Sequence, residues 1–209
     1  MSEKIFAANW KMYLNDKESK EFISRITSNK EFFSEFNIMI FPNHLSIAAV
    51  QDLAKDLPNI KIGMQDCDAS TSGAITGSNS ITSLDVDSCI VGHSERRNVF
   101  NESNEIIKSK LNNCLNNIDS VILCVGEQLD EKEQNKTFEI IQKQLSILPK
   151  ELNGKNLIIA YEPVWAIGTG LVASKEYIDD VLSYINNLIK ELYSEENCSN
   201  ISLFYGGSV

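Results

Sequence analysis

The chain has 209 residues, of which 43% are hydrophobic, so it can bury a substantial core as one domain. Its formal net charge is −10 and it has no basic tract, which argues against a nucleic-acid partner. No apolar run approaches a membrane span, no signal peptide is evident, and the five cysteines lack paired spacing, so we expect a cytoplasmic protein that binds no membrane.

Apolar runs and amphipathic segments alternate along the whole chain. The predicted strands cover residues 5–8, 38–41, 60–64, 88–91, 119–125, 157–161 and 201–205. The predicted helices cover residues 16–26, with Asp16 as the cap, and residues 46–57, 101–116, 130–148 and 174–193. This alternation indicates parallel strands joined by helical crossovers.

Two α/β architectures fit this alternation, the open doubly wound sheet and the closed (β/α)₈ TIM barrel. Polar residues lie at or just past the carboxyl ends of most predicted strands: Asn9, Lys11, Gln65, His93, Glu127, Glu162 and Ser208. All strand ends of a barrel face one central site, whereas an open sheet gathers its ligands at a switch point. We therefore expect residues 1–209 to form a single TIM-barrel domain, with the chain ending after the seventh strand.

The segment of residues 157–173, LIIAYEPVWAIGTGLVA, has the features of a catalytic strand end with a lid. Glu162 ends an apolar strand, and Pro163 stops the strand because proline cannot donate to a ladder. The glycines at 168 and 170 permit unusual backbone angles and a close approach to a ligand. A catalytic base under a mobile lid and a surface carboxylate in an ordinary connection are both consistent with this pattern.

Lys11 and His93 are two further candidates at strand ends. Lys11 can hold a phosphate or polarise an oxyanion, although a solvated surface lysine is the more common case. His93 follows Gly92 in the motif GHSERR, and a neutral imidazole can donate to a carbonyl and transfer protons. A packed histidine is the alternative for His93. The other histidine, His44, has no neighbours at ligand spacing, so the sequence predicts no metal site and no cofactor.

Glycine-rich segments near the end of the chain suggest a phosphate site. Backbone N–H groups at residues 168–170 and 206–208 can bind phosphate without a positive charge. The sequence GTGLVA at residues 168–173 also matches the dinucleotide fingerprint, which offers an NAD-linked oxidoreductase as a rival function. The fingerprint turn follows its strand directly, whereas residues 163–167 intervene here, and this spacing argues against the rival.

Taken together, the motifs resemble those of the triosephosphate isomerase family. They are ANWK at residues 8–11, GHSERR at 92–97, CVGE at 124–127, YEPVWAIGTG at 161–170 and YGGSV at 205–209. They stand in the family's order from the first predicted strand to the last residue.

The resemblance implies the interconversion of dihydroxyacetone phosphate and D-glyceraldehyde 3-phosphate, in glycolysis and gluconeogenesis, by a cytoplasmic homodimer. Glu162 would be the base and neutral His93 the electrophile, an assignment for which this family is a known case. Lys11 would offset charge, Asn9 would donate nearby and Glu95 would support the constellation. Backbone N–H groups of Gly168 and Ser208 would bind the phosphate.

Two features depart from the family pattern. Ser78 follows Thr76 and Gly77, where the family usually has a Glu that pairs with an Arg across the subunit interface. The resemblance thus implies that Arg96 lacks that partner, while we still expect a homodimer through the loop of residues 72–79. The chain also stops before the family's eighth βα unit, so we expect these 209 residues alone to be a poor catalyst. A non-catalytic phosphate-binding barrel is the third hypothesis.

Overall fold

The computed structural model describes residues 4–207, apart from the side chain of Glu196. The predicted phosphate-binding residue Ser208 lies outside the described residues. The chain divides into two compact units, Met1–Ile90 and Val91–Val209. In both units, helices lie between consecutive parallel strands, except over residues 65–87 of the first unit, where a loop joins two strands.

The first unit is built on parallel strands that follow one another in sequence. They are β1 (Ile5–Asn9), β2 (Asn37–Phe41), β3 (Ile60–Met64) and β4 (Ser88–Val91). Ala7 pairs with Met39, Ile40 with Ile62 and Gly63 with Ser88. The helices of this unit are α1 (Asp16–Ser28), α2 (Lys30–Phe33) and α3 (Ile47–Ala54), and a 3₁₀ turn covers His44–Ser46. Ile23 of α1 and Ile47 of α3 are fully buried, because each presents an apolar face to the core.

The second unit is built around β5 (Ser120–Val125), β6 (Asn156–Tyr161) and β7 (Ile201–Tyr205). Strand β6 pairs in parallel with both neighbours. Every residue of β5 is buried, as is every residue of β6 after Asn156, which explains their continuous apolar sequences. The helices are α4 (Ser94–Asn98), α5 (Asn104–Asn117), α6 (Leu129–Glu133), α7 (Thr137–Leu145), α8 (Lys175–Leu192) and α9 (Glu195–Cys198).

The pairing order within each unit is the order of a barrel. Each paired strand lies in parallel beside the strand that precedes it in sequence, from β1 to β4 and from β5 to β7. An open doubly wound sheet reverses its strand order at a switch point, and neither unit contains such a reversal. The predicted alternation is confirmed, and the single domain over residues 1–209 stays a prediction.

Three local predictions need correction. The cap of α1 is Asn15 rather than Asp16, because the Asn15 side chain accepts from the Glu18 N–H while the Glu18 carboxylate accepts from the Asn15 N–H. The single long helix predicted over residues 130–148 is two helices, α6 and α7, separated at Asn135, whose φ of 56° is left-handed. The short helix α4 was not predicted.

The described residues 4–207 include no helix that is both long and apolar enough to cross a membrane.

Replacing Asn15 with alanine tests the helix cap. Asn15→Ala removes the side-chain half of the capping box, while the backbone N–H of residue 15 can still donate to Glu18, so we expect the free energy of unfolding to fall by about 1 kcal/mol. Asp16→Ala is the matched control, since Asp16 contributes only an exposed ion pair with Lys20 and its loss should cost less. Urea denaturation of both variants measures the difference. A larger loss of stability for Asp16→Ala than for Asn15→Ala would show that Asp16 is the helix cap.

Candidate active site

Lys11 of the first unit has a strained backbone that two neighbouring side chains hold in place. Its φ of 49° is in the left-handed region, which is costly for a residue with a side chain. The Asn9 Oδ1 accepts from the Lys11 N–H at 2.9 Å. The Gln65 Nε2 donates to the carbonyl oxygens of Lys11 at 2.8 Å and Phe41 at 2.9 Å. Strain that is maintained in this way is typical of residues that act on a ligand.

His93 of the second unit is held in one orientation at the start of α4. It is the N-cap residue of this helix, and its Nδ1 accepts from the Glu95 N–H at 3.1 Å. A ring nitrogen that accepts a hydrogen bond carries no proton, so the neutral imidazole has its proton on Nε2. The side chain is buried, and Nε2 is therefore a fixed donor.

Glu162 lies at the end of β6 with its carboxylate against His93. Its Oε1 is 3.3 Å from the His93 Nε2, and its Oε2 accepts from the Ser94 N–H at 3.1 Å. The Cys124 thiol lies near this carboxylate, whose charge raises the pKa of the thiol. Glu162 is 6% exposed, so its charge is compensated by these donors rather than by bulk water. A base and a proton donor in contact can act on adjacent atoms of one small substrate.

The half-buried Arg97 and the buried Cys124 define the electrostatics near Glu162. Burial lowers the pKa of Arg97, while the nearby Cys124, Glu162 and Glu102 raise it. The guanidinium donates to the carbonyl oxygens of Gly92 at 2.8 Å and Cys124 at 3.1 Å. Burial also raises the pKa of the Cys124 thiol, and the Glu162 carboxylate raises it further. The thiol therefore stays neutral, and Arg97 supplies the positive charge of this region.

The remaining predicted site residues of the second unit lie at different distances from this pair. The Glu95 Oε2 is 3.5 Å from the His93 Nδ1, and the Glu95 side chain is half-exposed. Gly168, with a φ of 67°, lies in the exposed stretch of residues 168–172. The structure thus brings together His93, Glu95 and Glu162 in the second unit and Asn9 with Lys11 in the first.

Comparisons with known proteins agree on one family. Residues 4–209 match the family model described as triosephosphate isomerase. The proteins named triosephosphate isomerase from Dictyoglomus thermophilum, Dictyoglomus turgidum and Clostridium botulinum are 42%, 40% and 35% identical to the chain. Each alignment covers 100% of this chain and 86% of the relative.

The chain belongs to the triosephosphate isomerase family.

Membership in the triosephosphate isomerase family confirms the predicted fold class, an α/β (β/α)₈ barrel. It also confirms the predicted enzyme class, an intramolecular isomerase, and a triose phosphate as its substrate. Neither an NAD-linked oxidoreductase nor a non-catalytic barrel receives support from these comparisons.

Glu127 is a second buried carboxylate. The sequence places it at the end of a predicted strand, but its role was not predicted. It is 0% exposed and accepts from the Tyr161 hydroxyl at 3.1 Å, the Trp165 indole at 2.7 Å and the Tyr177 hydroxyl at 2.8 Å. The Lys132 ammonium lies 3.3 Å from the centre of the Trp165 ring, a cation–π contact. The sequence signal that could have predicted this cluster is an acid directly after a buried strand, with aromatic residues in the next loop.

The lid segment, residues 163–173, is anchored at both ends. Trp165 and Ala166 near its start pack against Ala173 at its end, and Tyr177 of α8 packs against this cluster. The Val164 N–H also donates to the Glu127 carbonyl oxygen at 3.1 Å. Residues 168–172 between these anchors are exposed. In this family member the glycine-rich tip is therefore accessible while both ends of the segment are fixed.

Arg96 has an ion-pair partner within its own unit, Glu102. The Arg96 Nε donates to the Glu102 Oε1 at 2.8 Å, and the Lys110 ammonium donates to the same oxygen at 2.6 Å. Arg96 also lies over the Phe100 ring, 4.1 Å from its centre. This interaction compensates the Arg96 charge without the glutamate that the family usually has where this chain has Ser78.

The tyrosines around Glu127 make stability sensitive to alkaline pH. Burial, with the charge of Glu127, raises the pKa of Tyr177 from 10.0 to about 12. Above pH 10 the unfolded chain loses this proton before the folded chain does, so the free energy of unfolding decreases as the pH rises toward about 12.

We expect Tyr177→Phe to weaken this decrease, because phenylalanine has no proton to lose. Denaturation by urea at a series of alkaline pH values gives the slope for each protein. The matched control is Tyr184→Phe on the same helix, since Tyr184 packs on Phe138 instead of binding Glu127. Equal slopes for Tyr177→Phe and the parent protein would contradict the role of the Glu127 contact.

Proposed function

We propose that Glu162 and His93 carry out the interconversion of dihydroxyacetone phosphate and D-glyceraldehyde 3-phosphate, a step of glycolysis and gluconeogenesis. The observation that carries this proposal is the 3.3 Å contact between the Glu162 Oε1 and the His93 Nε2. Because the His93 Nδ1 accepts from the Glu95 N–H, the donor nitrogen faces the base.

The proton transfers follow from these two groups. The Glu162 carboxylate removes a proton from the carbon next to the substrate carbonyl, and the C–H electron pair becomes the C=C bond of an enediolate. The carbonyl oxygen gains the negative charge, and the His93 Nε2–H donates to it. The His93 Nε2 gives its proton to this oxygen and takes the proton of the neighbouring hydroxyl group, so that the hydroxyl oxygen becomes the new carbonyl oxygen. Glu162 then returns its proton to the former carbonyl carbon, which completes the isomerisation and leaves His93 in its starting protonation state. Glu162 ends the cycle as a carboxylate.

Burial makes this chemistry feasible. A carboxylate in water is too weak a base to remove a proton from carbon at a useful rate, so the site must exclude water and stabilise the enediolate. Glu162 is 6% exposed and His93 is 8% exposed. Their fixed hydrogen bonds replace the reorganisation that water would otherwise need.

The substrate-binding roles are proposed from the family motifs, with support from the backbone. Lys11 offsets the charge of phosphate and enediolate, and Asn9 donates nearby; the strained backbone of Lys11 supports this role. The Gly168 N–H binds phosphate under the closed lid, and the open space around its Cα supports a close approach of a ligand. Ser208 is the other phosphate donor, and Glu95 supports His93.

A homodimer in the cytoplasm is the proposed assembly. Residues 71–78 form an exposed stretch, and the Asp68 N–H donates to the Asn79 carbonyl oxygen at 2.8 Å near its base. A long polar loop of this kind is easier to keep ordered against a partner subunit. The cysteine spacing, without a disulfide pattern, supports a reducing compartment. A monomeric mass in light scattering, together with full isomerase activity at the same concentration, would contradict the dimer.

Shortening the proposed base tests its role. Glu162→Asp withdraws the carboxylate by one methylene, so we expect kcat to fall by about 100-fold with little change in KM. A coupled isomerase assay of the full chain measures both constants. Glu176→Asp, in the first turn of α8, is the matched control and should retain activity. An unchanged kcat for Glu162→Asp would exclude Glu162 as the base.

Replacing the proposed electrophile tests its stage of action. His93→Gln should lower kcat by about 100-fold or more, with a smaller effect on KM, because the imidazole acts mainly on the enediolate. His44→Gln controls for the loss of a histidine elsewhere, and its activity should match that of the parent. A loss confined to KM would assign His93 to ground-state binding of the substrate instead.

A further inference from the structure

Gln144 on α7 binds the backbone of Gly126 through both ends of its side-chain amide. Its Oε1 accepts from the Gly126 N–H at 2.8 Å, and its Nε2 donates to the Gly126 carbonyl oxygen at 3.0 Å. Gly126 directly follows Val125, the last residue of β5. The amide thus makes the pair of hydrogen bonds that a neighbouring strand would make, one residue after the strand ends.

Gly126 lies directly against the backbone of Glu162. A Cβ atom built at Gly126 would be 1.7 Å from the Glu162 carbonyl oxygen, so no larger residue fits there. The preceding residue, Val125, accepts from the Glu162 N–H at 2.8 Å. A shift of Gly126 is therefore transmitted to the backbone that carries the Glu162 carboxylate.

A cavity gives this contact room to move. Its volume is about 650 Å³, and Gly126, Gln144 and Glu162 all contribute to its wall. Close packing cannot hold a backbone in place on the side where it borders a cavity, so directional hydrogen bonds must do so. The amide of Gln144 supplies two of them on the wall of the cavity.

We propose that Gln144 is a positioning residue for catalysis, which fixes Gly126 and through it the Glu162 carboxylate in the orientation that faces the His93 Nε2. The inference rests on the proposed role of Glu162 as the base. Catalytic rates respond to small displacements, since a misplacement of about 1 Å can lower turnover by about 100-fold. Loss of the Gln144 contacts should therefore appear in kcat and leave KM nearly unchanged.

Gln144→Glu gives a test that pH can reverse. A carboxylate can accept from the Gly126 N–H, but it has no proton to donate to the Gly126 carbonyl oxygen, and the two oxygens repel each other. A protonated carboxyl group has the shape of the amide and can donate again. The charged groups that border the same cavity are Arg97, Glu105, Lys108, Glu131, Lys143 and Glu162, and they are common to the parent and the variants.

We expect the kcat of Gln144→Glu to be about 10- to 100-fold below that of the parent near neutral pH, with KM within about twofold. The ratio of the two kcat values should recover as the pH falls toward about 5, where carboxyl groups begin to take up protons. Taking the ratio removes the pH dependence that the parent itself shows. Gln142→Glu is the matched control, because Gln142 is an exposed glutamine of the same helix and the charge change is identical.

Gln144→Met separates positioning from folding. It keeps the length of the side chain and lacks both hydrogen bonds, so its kcat should fall by a similar factor at every pH. A parent-like kcat for both variants at position 144, or a loss in Gln144→Glu that does not recover at low pH, overturns the inference. If instead Glu162→Asp retains full kcat, the proposed function fails, and these outcomes are distinguishable because position 162 is assayed in the same series.

Discussion

The pairing of β6 with β5 is the constraint on which the site of the second unit depends. The hydrogen bond from the Glu162 N–H to the Val125 carbonyl oxygen, at 2.8 Å, extends the ladder to the first residue after β6. It leaves the Glu162 side chain at the carboxyl end of the sheet, where its carboxylate meets His93. The next segments, residues 126–127 and 163–164, lie beyond the strands. One backbone hydrogen bond, from the Val164 N–H to the Glu127 carbonyl oxygen, joins them, and side chains supply further support.

Two side chains make stabilising hydrogen bonds just beyond the end of the pairing between β5 and β6. The Gln144 amide on α7 binds the backbone of Gly126. The Glu127 carboxylate accepts hydrogen bonds from the lid segment and from α8. Hydrogen bonds of this kind are directional, so they fix a loop more sharply than apolar contact does. The base of the proposed mechanism and the start of the lid segment are thus supported by side chains that act on two adjacent residues, Gly126 and Glu127.

Glu127 and Glu162 are both buried carboxylates at the ends of neighbouring strands, yet their surroundings differ. Glu127 is bound by two hydroxyl groups and an indole, with the Lys132 ammonium over the indole ring, and these contacts leave it no open side. Glu162 contacts a backbone N–H and an imidazole that can itself transfer a proton. The first arrangement is structural, and the second suits proton transfer.

Much of the fold was predictable because local signals and burial agreed. The apolar runs of β3, β4 and β7 matched their strands residue for residue, and Ser174 capped α8 as expected. The break at Asn135 was missed because the amphipathic pattern continues across it, and a left-handed residue leaves no periodic signal. The role of Gln144 depends on a contact eighteen residues away in sequence, which no local pattern contains.

The candidate site was likewise predictable only in part. A histidine after a glycine and an acid before a proline indicated chemistry at His93 and Glu162. The direction of the imidazole was not predictable, since it depends on α4, a helix too short to give a periodic pattern. That direction decides which ring nitrogen faces the base, and the account of the mechanism depends on it.

The most direct test of which His93 ring nitrogen faces Glu162 is ¹⁵N NMR of the histidine side chains at neutral pH. The sequence has two histidines, so the spectrum of His44→Gln assigns the signals of His93. We expect a ring with its proton on Nε2 and an unprotonated Nδ1, because Nδ1 accepts from the Glu95 N–H. A proton on Nδ1 would remove the donor that faces Glu162 and contradict the account.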